Sequence, residues 1–372
     1  MMPKGIDALG LRMGTLWLAH LLGLPSGWLH RLLHGGAVGR RLRLGRGAVI
    51  VGRRVRVGSD VRIGRRADIV AEEIDIADGV EIGDDVTIRC KRLVLGTGSR
   101  IDARTRVYGI ATANSGLQLG ARAWIYTDCH INTDERVTIG AGSAIGGRSL
   151  VFTHSSYLPI TAGYPVTFAP VIIGSYVWLP WQVFILPGAQ IDDGATVGAC
   201  SLVSGHVPRN SLAVGVPARV VKDESAFRRR YDATQMVELA RRVLDEALSN
   251  AAGAFRASDL FLPVRRSVER VDPDTWIVTR GEVVTPVVFV HPAQSETRES
   301  TPGALVVTAG ELIKVPDGVS AIDLVTLEQR LAPGVSAAVG ELIVSLSTYG
   351  IRFGWVTEET PFPGLAHPPS GS

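Results

Sequence analysis

The chain has 372 residues, of which 42 are glycine and 6% aromatic, with a mean hydropathy of +0.20 and a formal charge of +3. These values are typical of an ordered, turn-rich protein of two or three domains and exclude a disordered or collagen-like chain. The excess of basic residues is too small to indicate a nucleic-acid partner. Cys90, Cys129 and Cys200 are far apart and in no metal-ligand spacing, which favours a reducing, cytoplasmic compartment.

Residues 1–43 form an N-terminal segment with an apolar stretch that is split by Gly23, Pro25 and Gly27. The pattern predicts two short helices, and neither reaches the roughly 20 apolar residues that span a bilayer. Two interpretations stay open. The helices form a cap on the next domain, or residues 6–34 are an interfacial segment at the inner face of the membrane.

Between residues 44 and 222, aliphatic residues recur six positions apart, first in groups of three that begin 19 residues apart and, after residue 170, without a break. Three flat sides of about six residues make one triangular coil, and stacked coils form a solenoid with parallel strands. Glycine follows several of the aliphatic residues, and we expect it there because the corners need unusual backbone angles. The repeating positions are Val57, Ile63, Ile69, Ile76, Ile82, Ile88, Leu95, Ile101, Val107, Ile139, Ile145, Val151, Ile173, Leu179, Ile185, Ile191, Val197 and Val203.

Two stretches interrupt the period, at residues 108–118 and 153–170. A solenoid accommodates insertions only as loops that leave a corner, and long loops on a rigid scaffold commonly carry function. The second interruption contains His154 and is therefore the expected site.

Four motifs follow this loop in order: P-V-I-I-G at 170–174, V-W at 177–178, I-L-P-G at 185–188 and G-V-P-A-R at 215–219. Together with the period they resemble the hexapeptide-repeat acyltransferases, most closely the maltose, galactoside, nodulation-factor and polysaccharide O-acetyltransferase branch. The resemblance implies a left-handed parallel β-helix, which is an exception to the right-handed crossover rule. It also implies a homotrimer with active sites between neighbouring prisms.

The same resemblance implies that His154 is the catalytic base. A neutral hydroxyl is a weak nucleophile, and imidazole is suited to removing its proton near neutral pH. Acetyl then passes directly from acetyl-CoA to the hydroxyl in a ternary complex. Asp134, on the preceding coil, matches an acidic residue that orients the imidazole.

Four residues are expected at the acceptor, a sugar or glycan. Tyr126 stands where the family often has asparagine, and Asn132 lies nearby out of register. Trp178 matches a tryptophan that lines the family's site. Trp181 departs from the family pattern and indicates a bulkier acceptor or packing against the C-terminal segment.

Acetyl-CoA is expected along the last coils. The small residues expected to let the pantetheine arm approach are Ala199, Ser201, Ser204 and Gly205. The basic residues that match the family's phosphate contacts are Arg219 and Lys222.

Residues 223–360 are predicted to form a helix and a small α+β domain, whose role is either oligomer support or acceptor binding, and residues 361–372 a disordered tail. The predicted helices are Glu224–Ala252 and Ile322–Leu331, and the predicted strands are Thr275–Arg280, Val283–Val290, Ala304–Val307 and Glu341–Val344.

The predicted function is an acetyl-CoA-dependent O-acetyltransferase acting on a sugar or a glycan precursor. Alternatives are an acyltransferase with a larger or lipid-linked acceptor and a non-catalytic β-helix scaffold. A metal-dependent hydrolyase on the same kind of prism needs three histidine ligands. The chain offers His130 and His154 without the spacing, so no metal is expected.

Overall fold

The computed structural model describes residues 38–155, 158–227, 229, 231–253, 266–280, 283–290, 304–308, 320–324, 329–330, 342 and 346. The predicted N-terminal helices and the predicted tail lie outside these residues. The chain divides into two compact units, Met1–Arg229 and Arg230–Ser372.

The first unit is a prism of stacked coils. Its strands, in chain order, are β1 (Arg43–Leu44), β2 (Val49–Val51), β3 (Arg54–Val57), β4 (Arg62–Ile63), β5 (Asp68–Ile76), β6 (Glu81–Ile82), β7 (Thr87–Leu95), β8 (Arg100–Ile101), β9 (Arg106–Tyr108), β10 (Gly116–Leu119), β11 (Trp124–Ile125), β12 (His130–Asn132), β13 (Arg136–Ile139), β14 (Ala144–Ile145), β15 (Leu150–Val151), β16 (His154–Ser155), β17 (Thr167–Phe168), β18 (Val171–Ile173), β19 (Trp178–Leu179), β20 (Phe184–Ile185), β21 (Gln190–Ile191), β22 (Thr196–Val197), β23 (Leu202–Val203), β24 (His206–Val207), β25 (Leu212–Gly215) and β26 (Ala218–Lys222).

The strands pair in parallel from coil to coil along three sides. Side 1 is the sheet β1-β4-β6-β8-β11-β14-β19-β22-β25, closed by the antiparallel β26. A 14-stranded sheet forms side 2, which includes β9, β12, β15, β20 and β23, and side 3, which includes β10, β13, β18, β21 and β24. The predicted fold class, a mainly β protein built on a parallel β-helix, is confirmed.

The aliphatic residues of the period fill the prism. All of those predicted to point inward are buried, and equivalent ones are paired, as Ile63 is with Ile82. Apolar burial along the whole axis stabilises the stack as a sum over neighbouring coils.

The expected reason for the glycines was wrong. Neither Gly64 nor Gly83 has a positive φ. A Cβ added to Gly64 would lie 2.4 Å from the carbonyl carbon of Gly83, and a Cβ added to Gly83 would lie 2.5 Å from the backbone nitrogen of Ala103. These glycines are needed because the next coil passes too close for a side chain. The left-handed corner residues come two positions later, at Arg66 and Asp85.

Exposed ion pairs join successive coils in the arginine-rich part of the prism. Arg65 lies 2.7 Å from Asp84, and Arg66 lies 2.6 Å from Asp85, each pair bridging a step of one coil. The hydrogen bonds from these two arginines lower the pKa of Asp84 and of Asp85. Much of the basic charge is thus neutralised within the prism.

Both predicted interruptions leave the prism at the corner between sides 2 and 3. The first is residues 109–115, between β9 and β10. The second leaves after β15 and returns at β18; its stem is the antiparallel pair β16 and β17, and it contains the 3-10 helix Ile160–Ala162.

After β26, helix α1 (Glu224–Phe227) ends the first unit, and α2 (Ala233–Gly253) begins the second. The prediction of one continuous helix was wrong because Asp232 caps α2. Its Oδ1 accepts a hydrogen bond from the Gln235 amide at 2.8 Å, and its own amide donates to Gln235 Oε1 at 3.2 Å. This reciprocal capping box fixes the start of α2.

The second unit contains a six-stranded sheet in the order β27-β28-β29-β30-β31-β32. Its described core combines Leu244 and Leu248 of α2 with Trp276 and other apolar strand residues. The bounds are β27 (Arg266–Asp272), β28 (Thr275–Arg280), β29 (Val283–Phe289), β30 (Leu305–Thr308), β31 (Ser320–Asp323) and β32 (Gln329–Arg330).

Three of the strand predictions are confirmed to within one residue, at β28, β29 and β30. The helix predicted over residues 322–331 was wrong, because Ile322 pairs in parallel with Val307 inside the sheet. Of the strand predicted over residues 341–344, only Leu342 lies within the described residues, and it is helical. Short apolar runs fit a buried helix or a buried strand equally well, and here the pairing decides.

Among the described residues, every helix is too short or too polar to cross a bilayer.

The ion pairs predict how stability depends on pH. Because the pKa values of Asp84 and Asp85 are lower in the folded protein than the roughly 3.9 of an unfolded chain, their contribution is present above about pH 4. It is lost as the pH falls through the lowered values. We expect Tm to fall less between pH 5 and pH 3 in an Asp84→Asn/Asp85→Asn variant than in the unmodified protein, as measured by circular dichroism. Equal falls in the two proteins would contradict this.

Candidate active site

His154 stands at the point where the chain leaves the corner between sides 2 and 3. The preceding Thr153 is fully buried, whereas the side chain of His154 is 28% exposed. The second insertion is closed at its base by strand pairing between His154 and Phe168 and by the hydrogen bond from the Ala169 amide to the Thr153 carbonyl at 2.9 Å. A rigid stem therefore holds the imidazole.

Two acceptors face the same nitrogen of His154. Asp134 Oδ2 lies 2.9 Å from Nδ1, and Asn132 Oδ1 lies 3.0 Å from it. Because a carboxylate and a carboxamide oxygen only accept, Nδ1 carries the proton. In the neutral ring Nε2 is then unprotonated and able to act as a base.

A buried network fixes the Asn132 carboxamide. Its Oδ1 accepts from the Thr153 hydroxyl at 2.7 Å, and its Nδ2 donates to Asp134 Oδ2 at 2.9 Å. The Glu135 amide donates in turn to Thr153 Oγ1 at 3.0 Å. Asn132 is only 1% exposed, so it positions the imidazole. The expectation that Asn132 contacts the sugar substrate was wrong. Asn132 takes this position because the corner turns the end of β12 inward.

Aromatic rings that were not predicted as site residues surround His154. Phe168 stacks on the imidazole with ring centroids 5.8 Å apart, and Phe152 meets it edge-on at 6.5 Å. Phe184 packs on Phe152 at 5.4 Å. The paired strands β16 and β17 place Phe168 beside His154. The only sign of this in the sequence is the apolar run at the end of the loop that contains Phe168.

The predicted acceptor residues Tyr126 and Trp178 form a separate cluster on side 1. The Tyr126 ring stacks on Trp124 at 4.2 Å and meets Trp178 edge-on at 6.2 Å, while the guanidinium of Arg100 lies 4.7 Å from the Trp124 ring centroid. Side 1 is opposite the corner that carries His154. One chain therefore does not bring these rings to its own imidazole.

Trp181 lies at the corner between sides 1 and 2 and is 46% exposed. Its ring covers Gly147 on the preceding coil, where an added Cβ would lie 2.3 Å from the ring. The Trp181 ring can therefore take this position only because residue 147 is glycine.

The residues predicted to contact CoA lie on the last coils and on β26. Ala199, Ser204 and Gly205 are exposed, as are Arg219 and Lys222. Space around Gly205 is open, since an added Cβ would meet nothing within 4 Å.

Ser201 differs from this expectation. It is 1% exposed, and its Oγ accepts a hydrogen bond from the Gly215 amide at 2.9 Å. Its hydroxyl therefore holds the hairpin of β25 and β26 instead of facing the surface.

Within the described part of the chain, no group of three or more His, Cys, Asp and Glu side chains is arranged to hold a metal ion. His130 belongs to β12 on side 2, and the acidic partner of His154 is a carboxylate that engages its Nδ1.

Comparison with known proteins agrees with the repeat. No family model matches the sequence. A protein named as a colanic acid biosynthesis acetyltransferase, WcaF of Escherichia coli K12, is 36% identical over 107 residues, which cover 29% of this chain and 58% of that protein. The galactoside O-acetyltransferase of E. coli K12 is 31% identical over 111 residues, covering 29% of this chain and 55% of that protein.

The matched region is thus only part of each relative, and the chain spans somewhat over half of their length. Among solved structures, the hexapeptide-repeat acetyltransferase VCA0836 of Vibrio cholerae is 25% identical, with 35% of this chain and 73% of that chain covered and a TM-score of 0.32. With its six-residue period, its four motifs and its identity to these two E. coli proteins, the chain is similar to the hexapeptide-repeat acetyltransferases.

Proposed function

We propose that the protein is an acetyl-CoA-dependent O-acetyltransferase that acts on a hydroxyl of a sugar or a glycan precursor. One observation carries the proposal: His154 Nδ1 faces two fixed acceptors, so the Nε2 lone pair is available as a base. No hydrogen-bond partner of Nε2 occurs among the residues that the structure describes.

The reaction follows from this geometry. Nε2 removes the proton of the acceptor hydroxyl while its oxygen attacks the thioester carbonyl carbon. Asp134 stabilises the imidazolium that forms, because its carboxylate lies 2.9 Å from the protonated Nδ1. The tetrahedral intermediate collapses by breaking the carbon–sulfur bond, and the imidazolium returns the proton to the CoA sulfur. The products are the acetyl ester and CoA, and no acyl-enzyme is formed.

The donor and acceptor surfaces support the assignment. Exposed small residues, among them Ala199, Ser204 and Gly205, leave room for a pantetheine arm, and Arg219 and Lys222 supply positive charge for its phosphates. Exposed aromatic rings, such as Trp178, are suited to stacking against a sugar ring. The names of the relatives, which refer to colanic acid and galactosides, favour a glycan acceptor.

We propose that the active unit is a homotrimer in which the site is shared. His154 and Trp178 lie on opposite parts of one prism, so a site that uses both needs His154 from one chain and Trp178 from its neighbour. The family resemblance implies the same assembly.

The reduced state of the cysteine thiols supports a cytoplasmic location. Burial raises the pKa of Cys90 to about 12 and that of Cys129 to about 11, so both remain unreactive thiols in the core. The exposed Cys200 forms no disulfide. Contact of residues 6–34 with the inner face of the membrane remains part of the proposal.

The role of His154 is tested by substitution. We expect His154→Ala to lower kcat by about 100-fold or more, because general-base catalysis contributes about 10² to 10⁴. CoA release from acetyl-CoA is measured with a thiol reagent in the presence of candidate monosaccharides and oligosaccharides. Calorimetry with acetyl-CoA is the control, since the variant should bind it with an unchanged Kd. Undiminished turnover would remove His154 as the base, and no binding by the unmodified protein would favour a scaffold.

The shared site is tested by mixing two inactive variants. We expect His154→Ala and Trp178→Ala chains to be weakly active alone and to regain activity when unfolded and refolded together. Mixed trimers contain some sites that combine an intact His154 with an intact Trp178 from a neighbour. Sedimentation velocity supplies the oligomeric state. If the refolded mixture is no more active than the average of the separate variants, each site uses one chain only.

A further inference from the structure

The first insertion, residues 109–115, contacts the carboxylate that orients His154. The Ala111 amide donates a hydrogen bond to Asp134 Oδ1 at 2.9 Å. The Thr112 hydroxyl donates to the backbone carbonyl of Asp134 at 2.5 Å. The opposite carboxylate oxygen, Oδ2, is the one that meets His154 Nδ1. Asp134 is therefore held from one side by the insertion and from the other by the imidazole.

The insertion is itself fixed to the prism. The Ser115 hydroxyl donates to the Gly109 carbonyl at 2.5 Å, and the Gly109 amide donates to the Arg89 carbonyl at 3.2 Å. Gly109 has φ of +134°, and a Cβ there would lie 2.5 Å from the Asp134 nitrogen. Glycine is needed at this point because the loop passes directly against Asp134.

The stacking of the coils explains the contact. Tyr108 pairs with Asn132 across one step of the stack, so the corner after Tyr108 lies directly against the corner that holds Asp134. The next corner along the axis is the one that carries His154. Asp134 thus lies between the two insertions.

We propose that the Ala111 amide and the Thr112 hydroxyl are positioning groups for the proposed reaction, which hold Asp134 in the orientation that keeps the His154 proton on Nδ1. This inference rests on the proposed role of His154. A carboxylate with one oxygen fixed by the loop has less freedom to rotate away from the imidazole. If it does rotate away, Nδ1 keeps only the neutral Asn132 oxygen as an acceptor, and the ring loses the anion that favours the Nδ1-protonated form and stabilises the imidazolium.

Thr112 offers a matched pair of variants. Thr112→Val keeps the shape of the side chain and removes the donor, whereas Thr112→Ser keeps the hydroxyl. Ala113→Ser, at an exposed position of the same loop, is the control for a general disturbance. Nitrogen-15 NMR of the imidazole rings reports the tautomer of His154 directly. Its signals are assigned among the eight histidines by comparison with His154→Gln.

We expect Thr112→Val to increase the Nε2-protonated population of His154 and to lower kcat by up to about 10-fold, which corresponds to about 1.4 kcal/mol and is within the range of one hydrogen bond. KM for acetyl-CoA should be unchanged. Thr112→Ser and Ala113→Ser should resemble the unmodified protein in every measurement.

The inference is overturned if Thr112→Val leaves the tautomer of His154 unchanged, whether or not kcat falls. The NMR measurement needs no acceptor, so it separates the two proposals. A tautomer shift in a protein without transferase activity would support the positioning groups and contradict the proposed function.

Discussion

The close stacking of neighbouring coils is the constraint on which the rest of the structure depends. Parallel strands lie about 4.8 Å apart, so each coil has room for one layer of inward aliphatic side chains and for little else at the corners. At Gly64 and Gly83 the backbone of the next coil leaves no room for a side chain, and at Gly147 the ring of Trp181 leaves none. The same short step lets exposed arginines reach acids one coil away. The distance between neighbouring coils thus determines both the packing of the core and the ion pairs on the surface.

This spacing also explains how irregular segments build the candidate site. An insertion cannot enter the core, so it leaves at a corner, and corners of successive coils lie directly above one another. The segments 109–115, 132–135 and 152–170 leave or turn at the same corner on three consecutive coils. Two insertions that are more than 30 residues apart in the chain therefore lie on either side of Asp134, and the second of them carries His154. The stacking of the prism aligns the corner at Asp134 with both insertions.

The period was sufficient to predict a solenoid of stacked coils, because inward aliphatic residues six positions apart are compatible with few other structures, whereas the left-handed β-helix was implied by the family resemblance. The period also located both insertions, since each one delays the next buried residue. The pairing of Asp134 with His154 was predicted from family resemblance. The positions of Asn132 and Ser201 were not, because whether a polar side chain at a corner points inward depends on backbone angles that residue type alone does not determine. The helix start at Asp232 was present in the sequence as a capping box and was masked by the apolar pattern on both sides of it.

The proposed base and the aromatic surface of side 1 place different demands on the chain. His154 depends on a buried network in which Asn132 and Thr153 satisfy each other, so a change there exposes unpaired polar groups to an apolar surrounding. Trp124, Tyr126 and Trp178 lie on side 1, where the Tyr126 ring stacks on Trp124 and meets Trp178 edge-on. In the proposed trimer these two parts meet only across the subunit boundary. Substitutions on side 1 can then alter which acceptor is bound while the orientation of the imidazole stays unchanged, whereas at Trp181 the choice of residue is tied to Gly147 on the coil before it.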